Sequence, residues 1–267
     1  MCEAAVRAEP LIPCANARTV EELRQHLAQV KDRIRLACKR AGRDPAEVRL
    51  LPVSKTVPVE RLRNAYAAGC RILGENKVQE AYGKWQAMED LPDLKWAIIG
   101  HLQTNKAKYV ARFAIEFQAL DNLRLAGMLD RRLQSEGRAL DVCVQINTSG
   151  EAQKYGLPPD EAEAFVTELP AFSSLRVRGL MTLAVFSANP ERVRPCFARL
   201  RELRNRLRQT APDGVEMAEL SMGMSGDFEL AIEEGATTVR VGQAIFGARN
   251  TPDSVWWPGN ASPGGVR

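Results

Sequence analysis

The first residue with evident chemistry is Lys55, which directly follows the apolar run Leu50-Leu-Pro-Val53. A strand ending there carries its ammonium into an apolar setting. Desolvation lowers an amine's pKa, and a neutral amine attacks an aldehyde to give a Schiff base. An ordinary solvated lysine at a strand end shows the same sequence, so position alone leaves both readings open. Two later segments, Ser221-Met-Gly-Met-Ser225 and Arg240-Val-Gly-Gln243, read as glycine turns that lead into helices. Glycines let backbone N–H groups approach anion oxygens, and helix N-termini add the positive ends of their dipoles. Ser225 is placed to cap the helix that follows it. Each glycine alone also suits a tight turn, but together they read as a phosphate cup facing a lysine.

An amine opposite a phosphate anchor is what pyridoxal 5′-phosphate (PLP) requires. Arg240 falls within a strand, and inside a barrel its charge needs a partner: a pyridine nitrogen, a phosphate or a structural salt bridge. His101 and His26 are the only histidines. A His-rich metal site is thereby excluded, and the favoured role for His101 is packing or lining a pocket rather than acid–base work. Asp227 sits in a helix first turn, where a carboxylate is favourable whatever the function. Lys106-Ala-Lys108 reads as a solvated helix face.

These residues need elements to position them. Thr19-Val-Glu-Glu22 is a capping box that opens a helix with Leu23, Leu27, Val30 and Ile34 on one face. Short apolar runs then predict strands at Val48–Val53, Arg71–Leu73, Trp96–Ile99, Ile115–Leu120, Val142–Ile146, Val177–Thr182, Met217–Leu220 and Thr238–Val241. Amphipathic helices are expected between them, among others at Pro58–Ala68, Asn122–Ser135, Pro159–Leu169, Pro190–Gln209 and Ser225–Glu234. The strands are apolar enough for a buried parallel sheet, and eight strand–helix alternations close naturally into a (β/α)8 TIM barrel with an extra N-terminal helix. An open doubly wound sheet is the second choice, but no GxGxxG follows the first strand. The carboxyl ends of the strands, where barrel function gathers, read Ser54-Lys55, Gly74-Glu75-Asn76, Gly100-His101, Asp121-Asn122, Asn147-Thr148, Met181-Thr182, Ser221–Ser225 and Gly242-Gln243. The organisation expected is a flexible extension over 1–18, a barrel over 19–249 and an irregular tail over 250–267, with Trp256 and Trp257 docking on the barrel.

Composition narrows the class. The chain has 267 residues, 45% of them apolar, enough for one large core. Its 37 basic and 33 acidic residues are interspersed, which argues against nucleic acid. No apolar run approaches a membrane span, and no signal peptide is evident. Six scattered cysteines without a CxxC read as reduced thiols, so a cytoplasmic location is expected.

With these residues in place, the chain resembles the YggS/PROSC family of pyridoxal phosphate homeostasis proteins, whose barrel is related to the N-terminal domain of alanine racemase (PLP fold type III). The resemblance runs from about Val48 to Arg249. It rests on Val53-Ser-Lys-Thr56, Gly74-Glu-Asn-Lys-Val-Gln-Glu80, Ile99-Gly-His-Leu-Gln-Thr-Asn-Lys106, Arg178-Gly-Leu-Met-Thr182, Leu220-Ser-Met-Gly-Met-Ser225, and Val239-Arg-Val-Gly242 with Ala244-Ile-Phe-Gly247. It implies PLP as a Schiff base on Lys55 and a phosphate cup from Ser221, Gly242 and their neighbours. Asn76 is implied to flank the ring, and Arg240 to lie near the ring nitrogen or phosphate. His101, Met181, Met224, Ser225 and Gln243 complete the expected PLP-contacting set. The chain departs from the family pattern at Ala97, where a histidine is common, at Gln243, where a small hydroxyl residue usually helps bind phosphate, and at Gln153-Lys154-Tyr155.

The resemblance implies a non-catalytic PLP carrier with PLP-dependent apoenzymes as partners; nothing in the sequence demands a partner subunit, so a monomer is expected. A single-domain amino-acid racemase is the alternative. Racemases of the two-domain type take a second acid/base tyrosine from an additional domain, which this chain is not expected to hold. A sugar-phosphate enzyme on the same scaffold, with Lys55 as its Schiff-base lysine, is the third reading.

Overall fold

The computed structural model describes residues 16–247. The proposed docking of Trp256 and Trp257, most of the N-terminal extension and the whole C-terminal tail lie outside those residues.

Short runs of buried apolar side chains give eight strands: β1 (Arg49–Pro52), β2 (Ile72–Glu75), β3 (Lys95–Ile98), β4 (Glu116–Leu120), β5 (Leu140–Gln145), β6 (Leu175–Met181), β7 (Glu219–Ser221) and β8 (Thr238–Val241). All neighbouring pairs are parallel, in the order β1-β8-β7-β6-β5-β4-β3-β2. The two ends of that order also meet. Val53 bridges Gly74 in parallel, and the Ser54 N–H donates to the Gly74 carbonyl at 2.9 Å. The sheet thus closes through that seam, giving the expected barrel rather than the doubly wound alternative.

The helices are α1 (Val20–Arg40), α2 (Val59–Ala67), α3 (Val78–Ala87), α4 (Ala107–Phe113), α5 (Leu123–Ser135), α6 (Ala162–Glu168), α7 (Pro190–Thr210), α8 (Phe228–Glu233) and α9 (Gln243–Phe246). The capping box that opens α1 forms as expected: the Glu22 N–H donates to Thr19 Oγ1 and the Thr19 N–H donates to the Glu22 carboxylate. The buried stripe of α1 (Leu23, Leu27, Val30, Ile34, Ala37 and Cys38) packs on α2, α8 and α9. Residues just before it are tied down too, because Arg61 of α2 donates from Nε to the Ala17 carbonyl at 2.9 Å.

One difference from expectation has a local cause. The helix expected from Ser225 begins at Phe228, since the Met224 N–H donates to Asp227 Oδ1 at 2.6 Å and the Asp227 N–H returns to the Met224 carbonyl. That exchange folds 224–227 into a turn. Helices α3 and α4 fill two of the expected strand–helix alternations and are joined by an aromatic cluster. Tyr82 packs on Trp85, Tyr109 and Phe113 with ring centroids 5.5, 5.0 and 5.9 Å away, at separations favourable for offset and edge contacts.

Candidate functional site

Lys55 stands in a tight turn immediately after β1. The Val57 N–H donates to the Ser54 carbonyl at 3.0 Å, which puts Lys55 and Thr56 at the two central positions. Thr56 has φ +65°, the one positive φ at a non-glycine among the described residues. A β-branched residue there is strained, and such strain collects at functional sites. One residue before the turn, the Val53 N–H donates to the Val241 carbonyl at 2.8 Å. Lys55, itself half-buried, therefore rises at the barrel mouth beside the end of β8, where Gly242 begins the next turn.

Arg240 points into the barrel and is 3% exposed. Its partners are neutral oxygens: Nη1 donates to Ser221 Oγ at 2.7 Å and Nη2 to the Thr182 carbonyl at 2.8 Å. Burial pulls its pKa down to about 10, with the Asp227 carboxylate opposing the shift. Ser221 in turn donates to Gln118 Oε1 at 2.7 Å, and Gln118 Nε2 donates to Glu116 Oε1 at 2.6 Å. Glu116 accepts both Nη donors of Arg49, at 2.9 and 2.7 Å. A hydrogen-bonded chain thus runs along the barrel interior from Arg49, at the start of β1, to Arg240 near the mouth. The Ser221 hydroxyl is a member of that chain, and its links leave Arg240 with donors beyond the two used here.

The turns after β7 and β8 meet by a different route from the one the sequence suggested. Ser225 does not cap α8; its Oγ accepts from the Gly242 N–H at 3.2 Å and joins the turn after β7 to the turn after β8. Gly223 has φ +92°, and a Cβ there would lie 2.6 Å from the Cβ of Ala231. The Arg240 N–H donates to the Gly223 carbonyl at 3.0 Å, so this loop is held against β8. Met181 is fully buried at the end of β6, while Met224, in the turn after β7, and Gln243, the first residue of α9, are partly exposed.

Across the mouth, Asn76 follows β2. Its Oδ1 is buried and has no hydrogen-bond partner. The chain after β3 passes so near it that a Cβ on Gly100 would lie 2.2 Å from the Asn76 carbonyl oxygen. His101 stacks on Tyr155, with centroids 3.9 Å apart and planes 8° from parallel, and its Nδ1 is 3.9 Å from Asp121. His26 lies elsewhere, with a ring nitrogen 2.9 Å from the Ile245 carbonyl, linking α1 to α9. The mouth thus gathers Lys55, Arg240, Ser221, Ser225, Gly242 and Asn76 from adjoining strand ends.

Several residues that shape the site carried no assigned role in the sequence reading. Thr56, Glu75, Glu80 and Lys84 surround the Lys55 turn. Gln118 and Thr182 support Arg240 through Ser221 and a backbone carbonyl. Glu116, Cys143 and Glu219 cluster at the opposite end of the barrel, but Arg49 already holds Glu116 in a two-pronged pair.

The family model "Alanine racemase, N-terminal domain" matches residues 25–250. The pyridoxal phosphate homeostasis protein of Aquifex aeolicus is 44% identical over 228 residues, covering 84% of this chain and 97% of its own. PipY of Synechococcus elongatus, solved with PLP bound, is 36% identical with a TM-score of 0.74, covering 84% of this chain and all of that one. Alanine racemase from Streptomyces lavendulae shares the fold at a TM-score of 0.66 and 16% identity, and this chain spans 59% of it. The chain therefore belongs to the alanine racemase N-terminal domain family and, within it, to the pyridoxal phosphate homeostasis proteins.

Proposed function

We propose that this protein binds PLP as a Schiff base on Lys55 and holds it for delivery within the cell, without catalysing a reaction of its own. The observation that carries this reading is the backbone pairing of Val53 with Val241, which sets the Lys55 turn beside Arg240 and Gly242. Asn76 Oδ1 supports it, since a buried acceptor without a partner is costly and a polar ligand at the mouth would satisfy it. When bound, PLP supplies an aldehyde for the amine and a ring that withdraws electrons.

The protein's own groups divide the work. Lys55 provides the amine. Gly242, Ser225 and the turn after β7 anchor the phosphate. Arg240 would stand near the ring nitrogen or the phosphate, and a cation at that nitrogen would disfavour its protonation. The result is a weak electron sink, suited to holding the cofactor. A relative that carries the homeostasis name and a neighbour solved with PLP agree with this role.

Racemisation needs acid/base groups on both faces of a substrate carbon. The Tyr66 hydroxyl donates to Asp93 on the outer surface, and Tyr82 and Tyr109 belong to the cluster between α3 and α4. That leaves Tyr155, which stacks on His101 at the mouth. The reading extends to a monomer in the cytoplasm that passes PLP to apoenzymes. Four buried free thiols (Cys38, Cys70, Cys143 and Cys196) support the reducing compartment, and no described helix is long and apolar enough to cross a membrane. Titration of the protein with PLP, followed by visible absorbance, tests the binding. Wild type should develop a saturable imine band that Lys55→Ala lacks. Robust turnover of an amino-acid enantiomer by wild type would favour the racemase instead.

A further inference from the structure

We propose that Lys84, Glu75 and Glu80 form a clamp on the turn that presents Lys55, and act as positioning residues for its condensation with an aldehyde. This rests on the function proposed above and adds three residues to it.

Lys84 is on α3, yet it is 6% exposed. Its ammonium has three donors and three partners: the Ser54 carbonyl at 2.9 Å, Glu75 Oε1 at 2.7 Å and Glu80 Oε1 at 2.6 Å. Ser54 precedes Lys55, and its hydroxyl also donates to Glu75 Oε1 at 2.6 Å. Thr56 follows Lys55, and its N–H donates to Glu80 Oε1 at 2.7 Å. Both neighbours of the reactive lysine are therefore fastened to one ammonium–carboxylate cluster. Thr56 adopts the left-handed region at φ +65°, a conformation that persists only where the surroundings over-determine it. The clamp supplies that determination.

Stability alone accounts poorly for the cluster. A buried ion pair loses in desolvation much of what it gains in attraction, and apolar residues of similar volume often serve the fold as well. Here burial holds the Glu75 carboxyl above its usual range despite the adjacent Lys84, and Glu75 Oε2 remains buried without a partner. What the cluster does secure is geometry. In the condensation, Lys55 Nζ bonds to the aldehyde carbon, both of its protons pass to the carbonyl oxygen and water leaves. The amine must stand within reach of that carbon, and small misplacements of reacting groups are costly.

The test compares PLP with pyridoxine 5′-phosphate, which has the same ring and phosphate but an alcohol in place of the aldehyde. Glu80→Ala keeps the Lys84–Glu75 pair and frees the Thr56 N–H. It should weaken PLP about tenfold or more while leaving pyridoxine 5′-phosphate within about twofold of wild type. Glu80→Gln, which still offers Thr56 an oxygen, should recover much of the loss. Lys84→Met should show the same selective defect if it folds; if it does not, the Glu80 pair decides. Equal weakening of both ligands in Glu80→Ala, or unchanged PLP affinity, overturns the clamp. Wild-type protein that takes up PLP without condensing with it overturns the Lys55 reading itself, a result distinct from the other two.

Discussion

An arginine sealed inside a barrel needs its charge compensated, and Arg240 finds dipoles rather than a carboxylate: the Ser221 hydroxyl and the Thr182 carbonyl. Arg240→Met should leave both groups without their donor and cost about 1–3 kcal/mol of stability. It should also weaken pyridoxine 5′-phosphate, which sees the ring site without the amine. Thermal denaturation and a ligand titration check the two effects separately. Glu75 makes a second residue-scale prediction. Burial raises its pKa above the ordinary carboxylate value. An acid whose folded pKa exceeds its unfolded one favours the fold most at low pH, and that contribution is lost as pH rises through the folded pKa. Glu75→Gln cannot ionise, so wild type should lose stability relative to this variant as pH rises above about 4.5. Thermal midpoints across that range would contradict the account if wild type gained instead, which would mean that the Lys84 attraction outweighs desolvation.

At the scale of elements, the strands were legible because a buried parallel strand is a short apolar run, and the tight turns between them hold glycine or asparagine. Lys55 was legible for the same reason, as a cation directly after such a run. The Lys55 turn was not, since threonine seldom adopts positive φ and no residue preference signals it. Nor was Lys84, because lysine on a helix ordinarily reads as solvated; its one hint is Glu80 a helical turn earlier. Ser225 was misplaced because apolar spacing alone does not separate the first turn of a helix from a turn before it. The approach of two mouth loops at Gly100 gives an element-scale prediction. Gly100→Ala would place a Cβ 2.2 Å from the Asn76 carbonyl oxygen, so the loop after β3 must shift. The expected cost is about 1–3 kcal/mol, with weaker ligand binding because Asn76 moves. Unfolding midpoints and PLP titration of that variant report both, and wild-type values in each would refute the close packing.

For the whole molecule, eight parallel strands with helices outside bury an interior that is polar along one line, from Arg49 through Glu116, Gln118 and Ser221 to Arg240. The closed barrel and its glycine-lined mouth could be anticipated from alternating patterns. The interior chain could not, because its members come from strands far apart in sequence and are joined only when the barrel closes. One property of the whole decides the account: the amine of Lys55 and the turns after β7 and β8 must serve a single ligand. Borohydride reduction of the protein loaded with PLP, then peptide mapping, measures this directly. The account predicts one pyridoxyl group per chain, carried by Lys55, and its loss when inorganic phosphate or pyridoxine 5′-phosphate competes. Label spread over surface lysines, or a label on Lys55 indifferent to those competitors, would contradict it.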